Sequence, residues 1–136
     1  MRSQPKIGAV YHLTLTVLGV IQSTEFFTNY LGFQVAVEID PLVVLVNGGT
    51  LLGLGPAPDP TLAIPTDRFN ENLIGLDHLS FYVDSLQDLE AAALFFDENG
   101  INHGEIKDLG PGFAIHAMAV RDPDNIQLEL TAPYAE

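Results

Sequence analysis

The chain of 136 residues has no cysteine and no tryptophan, and only five of its residues are Lys or Arg. Without cysteine, disulfides, thiolate zinc sites and cysteine nucleophiles are excluded. The few bases (Arg2, Lys6, Arg68, Lys107 and Arg121) are scattered and form no stripe. Neither nucleic acid nor an anionic membrane surface is therefore an expected partner. No apolar run reaches membrane-spanning length. The start, Met1-Arg2-Ser3-Gln4-Pro5-Lys6, leads into a strand pattern and not into the apolar stretch of a signal peptide, so a cytoplasmic location is the default. What the chain does have is acid: eighteen Asp and Glu give a formal net charge of -13, which favours cations nearby. Its 47% hydrophobic content is enough for a core. The length fits one domain, or two small halves sharing one architecture.

The order of local signals is nearly repeated. A strand over 10–17 precedes a helix over 23–31, which Ser23 or Thr24 can cap and Gly32 can end. Three strands follow, over 34–39, 42–46 and 50–54, separated by Asp40-Pro41 and Asn47-Gly48-Gly49. The second half has a strand over 76–83, then a helix capped by Asp84 or Ser85 that ends at Asn99 before Gly100. Strands over 103–107, 113–121 and 126–131 complete it. The expectation is an α+β fold: a single domain of two βαβββ modules, 7–55 and 75–133, joined by a linker over 56–74. Paired mixed sheets would form a cleft, with helices on the outer faces.

Three strand-like segments carry a possible ligand on a polar face. Side chains alternate along a strand. Leu13, Leu15 and Val17 therefore oppose His12, Thr14 and Thr16. Leu79, Phe81 and Val83 oppose His78, Ser80 and Tyr82, and Leu128 and Leu130 oppose Gln127, Glu129 and Thr131. A single histidine on an apolar strand is more often structural. Two at repeat-equivalent positions, with a carboxylate in register, point instead to a facial triad for a divalent metal. An unpaired Glu129 in a cleft would be costly, and a dication would partner it.

The strand with His12, the segment Asn29-Tyr30-Leu31-Gly32-Phe33, the segment Leu76-Asp77-His78-Leu79-Ser80-Phe81 and the closing run from Arg121 to Leu130 together resemble the vicinal oxygen chelate superfamily. It includes glyoxalase I, bleomycin-binding proteins, fosfomycin-resistance proteins, methylmalonyl-CoA epimerase and extradiol dioxygenases. The resemblance spans nearly the whole chain. It implies His12, His78 and Glu129 as ligands of Fe2+, Mn2+, Ni2+ or Zn2+, a small-molecule substrate, and a homodimer whose sites can draw on two chains. Glyoxalase I and the epimerase use a fourth ligand on the last strand of the first half. Aligning Leu52-Gly53-Leu54 with Leu128-Glu129-Leu130 puts Gly53 there, which argues against both chemistries. Scarce Lys and Arg argue against a phosphonate substrate. An extradiol-type dioxygenase remains among the enzymatic readings, beside lyase or transferase chemistry. The alternative is a metal-independent, bleomycin-resistance-like binding protein.

Further candidates accompany Glu129. His116 is a candidate acid, base or orienting group, and Thr14, Ser80, Tyr82 and Met118 are candidate substrate contacts. Both faces of the strand holding His116 and Met118 are apolar, so alternation does not say which faces the cleft. His103 reads as a loop residue, and Asp122-Pro123-Asp124-Asn125 as a turn that sets the register of Glu129.

Overall fold

The computed structural model describes residues 1–135. The chain divides into two compact units, Met1–Ala63 and Ile64–Glu136, and the division falls inside the proline-rich linker.

The first unit runs β1 (Leu13–Thr16), α1 (Val20–Tyr30), β2 (Gln34–Ile39), β3 (Leu42–Asn47) and β4 (Thr50–Gly55). Its sheet has the order β1-β4-β3-β2, with β1 parallel to β4 and the other pairs antiparallel. Leu45, Leu52 and Leu54 share one sheet face and are fully buried. Phe27 of α1 is fully buried too, with the rings of Phe26 and Phe33 edge-on to it at 5.5 and 5.6 Å. Truncating one such leucine to alanine would cost about 2–5 kcal/mol. The helix begins three residues before the expected Ser23. Gly19 occupies the N-cap with no side-chain cap, and Ser23 is buried within the helix. The apolar run Leu18-Gly19-Val20-Ile21 hides this start, because it reads as a continuing strand. The C-terminal expectation holds: Gly32 takes φ +75, the left-handed conformation that suits glycine after a helix.

The second unit repeats the order with β5 (Leu79–Tyr82), α2 (Leu86–Glu98), β6 (Lys107–Asp108), β7 (Ile115–Arg121) and β8 (Gln127–Pro133). Its sheet order, β5-β8-β7-β6, matches that of the first. Ser85 caps α2 by accepting from the Asp88 amide, as its place before the helix suggested. The expected strand over 103–107 is reduced to the two residues of β6 and an isolated bridge, His103 to Val120. The core lies on the α2 side of the sheet, with Leu89, Phe96, Met118, Val120, Leu128 and Ala132 nearly or wholly out of solvent. The architecture is therefore an α+β fold of two βαβββ modules. Among the described residues, no helix is long and apolar enough to cross a membrane.

Candidate functional site

The ladder in the second unit fixes which side chains share a face. Ser80 pairs with Glu129 and Tyr82 with Thr131, while Ala119 pairs with Glu129 and Ala117 with Thr131. His78 stands just before β5, two residues from Ser80, and its imidazole reaches Glu129: Nε2 lies 3.6 Å from Oε2. Ala117 and Ala119 of β7 share this face, with Ala117 buried and Ala119 partly exposed.

Glu129 is held by hydroxyls. Thr131 Oγ1 donates to Oε1 at 3.0 Å, and Ser80 Oγ lies 2.6 Å from Thr131 Oγ1. A hydroxyl has one proton to give. With the Thr131 proton committed to the carboxylate, Ser80 must donate to Thr131. The chain Ser80→Thr131→Glu129 thus occupies one carboxylate oxygen and leaves Oε2 facing His78.

On the other side of the imidazole, Nδ1 lies 2.7 Å from Asp77 Oδ1. Gln127 Nε2 donates to the same oxygen at 3.2 Å and to the Asp77 carbonyl at 3.1 Å. An ionised carboxylate can only accept, so it is Nδ1 that carries the proton. A neutral His78 then presents the Nε2 lone pair to a carboxylate oxygen.

That arrangement fits a bound cation. Two donors each about 2.1 Å from a common ion stand roughly 3 to 3.6 Å apart. A proton shared between Nε2 and Oε2 would require closure to about 2.7–2.9 Å, well inside the 3.6 Å observed. Imidazole nitrogen and carboxylate oxygen suit divalent zinc and first-row transition metals. The second unit contributes two such donors. Among the described residues, no group of three or more His, Cys, Asp or Glu is gathered tightly enough to hold an ion. His12 belongs to the first unit, just before β1, where it is exposed and edge-on to the Tyr11 ring at 5.1 Å.

The first-unit ladder shows why position 53 holds no side chain. Thr14 pairs with Gly53 as Ser80 pairs with Glu129. A Cβ on Gly53 would lie 2.7 Å from Thr14 Oγ1. Thr14 therefore fills the space that a side chain at position 53 would need.

Two candidates part from this site. Met118 pairs with Leu130 on the α2 side and is buried in the core at 1% exposure, so it is not on the Glu129 face. His116 shares that side, across from the Glu129 face. It lines a separate cavity of about 370 Å³ with Asp84, Ser85, Asp108 and Tyr134. There His116 Nε2 lies 3.7 Å from Asp108 Oδ2, and the Tyr134 hydroxyl donates to Asp108. Donation from Tyr134 and from the Gly110 amide holds the Asp108 carboxyl below its ordinary range, and the same contact raises the Tyr134 hydroxyl. His103 is structural: it bonds Asp97 at the end of α2 and the Gly104 carbonyl, and the Asp97 contact raises its pKa. Tyr82 lies on the His78 face but is 84% exposed, not a buried hydroxyl.

Residues 9–130 match the family described as Glyoxalase/Bleomycin resistance protein/Dioxygenase superfamily. The chain belongs to this superfamily. A superfamily domain from Frankia sp. EAN1pec, described as glyoxylase/bleomycin resistance protein/dioxygenase, is 28% identical; the match covers 94% of this chain and 93% of that one, with TM-score 0.74. Lactoylglutathione lyase from Agrobacterium tumefaciens is 16% identical over 93% and 96% of the two chains, TM-score 0.70. A mutant of the fosfomycin resistance protein FosX from Listeria monocytogenes, complexed with Mn(II) and 1S,2S-dihydroxypropylphosphonic acid, is 17% identical over 96% and 94%, TM-score 0.73. The last two likenesses speak for the glyoxalase fold alone. No curated protein matches the chain.

Proposed function

We propose that this superfamily member is a cytoplasmic, homodimeric, metal-dependent enzyme acting on a small oxygen-bearing substrate. Its metal ligands are His12, His78 and Glu129, and its ion is Fe2+, Mn2+, Ni2+ or Zn2+. The observation that carries this reading is His78 Nε2 facing Glu129 Oε2 at 3.6 Å; in a neutral imidazole protonated at Nδ1 these are two electron-rich atoms that a cation reconciles. His12 is supplied by a first unit, of the same chain or of its partner.

Such an ion, when bound, stabilises negative charge on substrate oxygens as a Lewis acid. The chain's own residues set what can reach it. Ser80 and Thr131 fix Glu129 so that one oxygen is free for coordination. Glycine at 53, with Thr14 against it, supplies no fourth protein donor, so positions stay open for a substrate with two neighbouring oxygens. Thr14, Ser80 and Tyr82 serve as polar walls. The Mn(II) complex of FosX supports metal binding on this fold. A phosphonate like that relative's ligand is disfavoured by the five Lys and Arg, of which Arg121 is committed to Glu71. A catechol cleaved with O2 meets the two-oxygen requirement and needs a redox-active metal, usually iron. Isomerisation or addition does not.

The test is metal titration of chelator-treated wild type, His78→Ala and Glu129→Gln, followed by oxygen uptake with a catechol panel on the iron form. The reading expects saturable binding by wild type and its loss in both variants. Oxygen consumption would place the reaction in the dioxygenase branch. Wild type that binds none of the four ions but binds a bleomycin-type antibiotic equally well with and without His78 would replace this reading with a sequestering protein.

A further inference from the structure

We infer that Asp77 is a positioning residue. It fixes His78 in the Nδ1–H tautomer, and it is itself set by a polar relay that begins at Glu71, fifty residues in sequence from the Arg121 it pairs with. The inference rests on the metal-site reading above and names residues which that reading does not use.

The relay has an unambiguous polarity. Glu71 accepts from Arg121 at both oxygens, Nη1 to Oε1 at 3.1 Å and Nη2 to Oε2 at 2.8 Å, a bidentate pair. Arg121 Nη2 also donates to Gln127 Oε1 at 3.3 Å. Guanidinium has no acceptor, so the amide oxygen of Gln127 must face Arg121 and its NH2 must face away. That NH2 meets Asp77, at both the side-chain oxygen and the backbone carbonyl. Asp77 Oδ1, already accepting from Gln127, accepts again from His78 Nδ1 at 2.7 Å. Each step dictates the next as far as the proton on Nδ1, and in the neutral ring the last leaves the Nε2 lone pair toward Glu129. Ligating histidines are ordinarily oriented by such a second bond, whose loss costs about 10–100-fold in metal affinity.

The same relay anchors the segment leading into β5. The Phe69 amide donates to the Asp124 carbonyl, and Asn125 Nδ2 donates to the Phe69 carbonyl. Arg121 also holds the Asn125 carbonyl at 3.1 Å. The chain before His78 is thereby tied to the β7–β8 turn at Phe69, Glu71 and Asp77. The proline-rich linker thus ends in a fixed approach to the ligand.

The test reads the tautomer without metal. Nitrogen NMR of histidine-labelled, chelator-treated protein should show His78 protonated at Nδ1. Asp77→Ala should release it toward the Nε2–H form that a free side chain favours, and should weaken Mn(II) binding about 10–100-fold. Asp77→Asn keeps an acceptor and should restore the tautomer with part of the affinity. Gln127→Leu and Glu71→Gln, further up the relay, should cost progressively less affinity. Asp77 is 70% exposed, so its removal leaves the fold in place. A wild-type His78 protonated at Nε2, or a tautomer indifferent to Asp77→Ala, overturns the inference. The expected tautomer in a protein that binds no metal would instead defeat the metal reading and leave the tautomer lock standing.

Discussion

The two halves share an element order and a ladder register, yet they differ at the point where chemistry would occur. Leu13 pairs with Leu52 as Leu79 pairs with Leu128. One residue further on, the first half has Thr14 beside Gly53 and the second has Ser80 beside Glu129. The residue before each histidine differs as well. Asp77 bonds His78, whereas Tyr11 only sets its ring edge against His12. The β3–β4 turn is a tight hairpin with Gly48 at φ +56, while the β7–β8 turn buries Asp122. Repetition of a fold therefore does not repeat a site. The packing positions, leucines on the helix side, match in both halves, and the positions on the open face are free to diverge. The second half brings His78 and Glu129 together with their hydrogen-bonding partners, and the first has an exposed His12 and a glycine at 53 with Thr14 against it.

The sharpest way to break this asymmetry is to remove the donor that only the second half has. Glu129→Gln should reduce divalent metal affinity by more than about 100-fold, beyond what loss of a supporting residue costs, as read by calorimetry. A loss no larger than that of Asp77→Ala would remove Glu129 from the ligand set.

Next in size is Asp122. Burial raises its carboxyl to about 6, against bonds from the Ile126 and Asp124 amides that favour the anion. An acid whose folded value exceeds its ordinary 3.8 makes the fold bind the proton more tightly than the unfolded chain does. Stability from this group is thus greatest below pH 4 and declines as pH rises to about 6, then levels off. The span is at most on the order of 3 kcal/mol, at about 1.4 kcal/mol per pKa unit. Asp122→Asn should keep one acceptor for both amides, raise stability at pH 7.5 and flatten this component in denaturant titrations. An unchanged pH slope would contradict the burial account.

Gly53→Ala probes the closed position. A methyl group placed against Thr14 should cost about 1–3 kcal/mol, and Thr14→Ala should return most of it in a double-mutant cycle. Additive effects would mean that Thr14 does not guard the position. The smallest effect is expected at His103. Its pKa is raised by Asp97, so the pair stabilises the fold below pH 6.5, and the gain fades as pH climbs past the raised value. Asp97→Asn should remove that fading with only a slight change in midpoint at neutral pH, because Asp97 is largely exposed.

Much of this was legible in the chain. Period-two alternation put Ser80 and Tyr82 on the side of His78, and Glu129 on the side of Thr131; the β5–β8 ladder joins the two sets. The alignment of the halves identified Gly53 as the counterpart of Glu129, which the ladders reproduce. Ser85, Gly32 and Gly100 marked helix ends because caps and left-handed residues leave local signatures. Three things were not legible. The start of α1 lacks a side-chain cap. The strand around His116 is apolar on both faces, so only its pairing with β8 puts Met118 in the core, and only its pairing with β6 puts His116 beside Asp108. The supports of His78 join Glu71, Asp77, Arg121 and Gln127 across about fifty residues, a distance over which periodicity carries no information.

The most direct measurement is anomalous diffraction from crystals grown with Mn(II). The account predicts one peak within bonding distance of His78 Nε2, Glu129 Oε2 and an imidazole nitrogen of His12, and the chain that donates His12 would be visible at once. A manganese peak elsewhere, or none between His78 and Glu129 at saturating Mn(II), would contradict it.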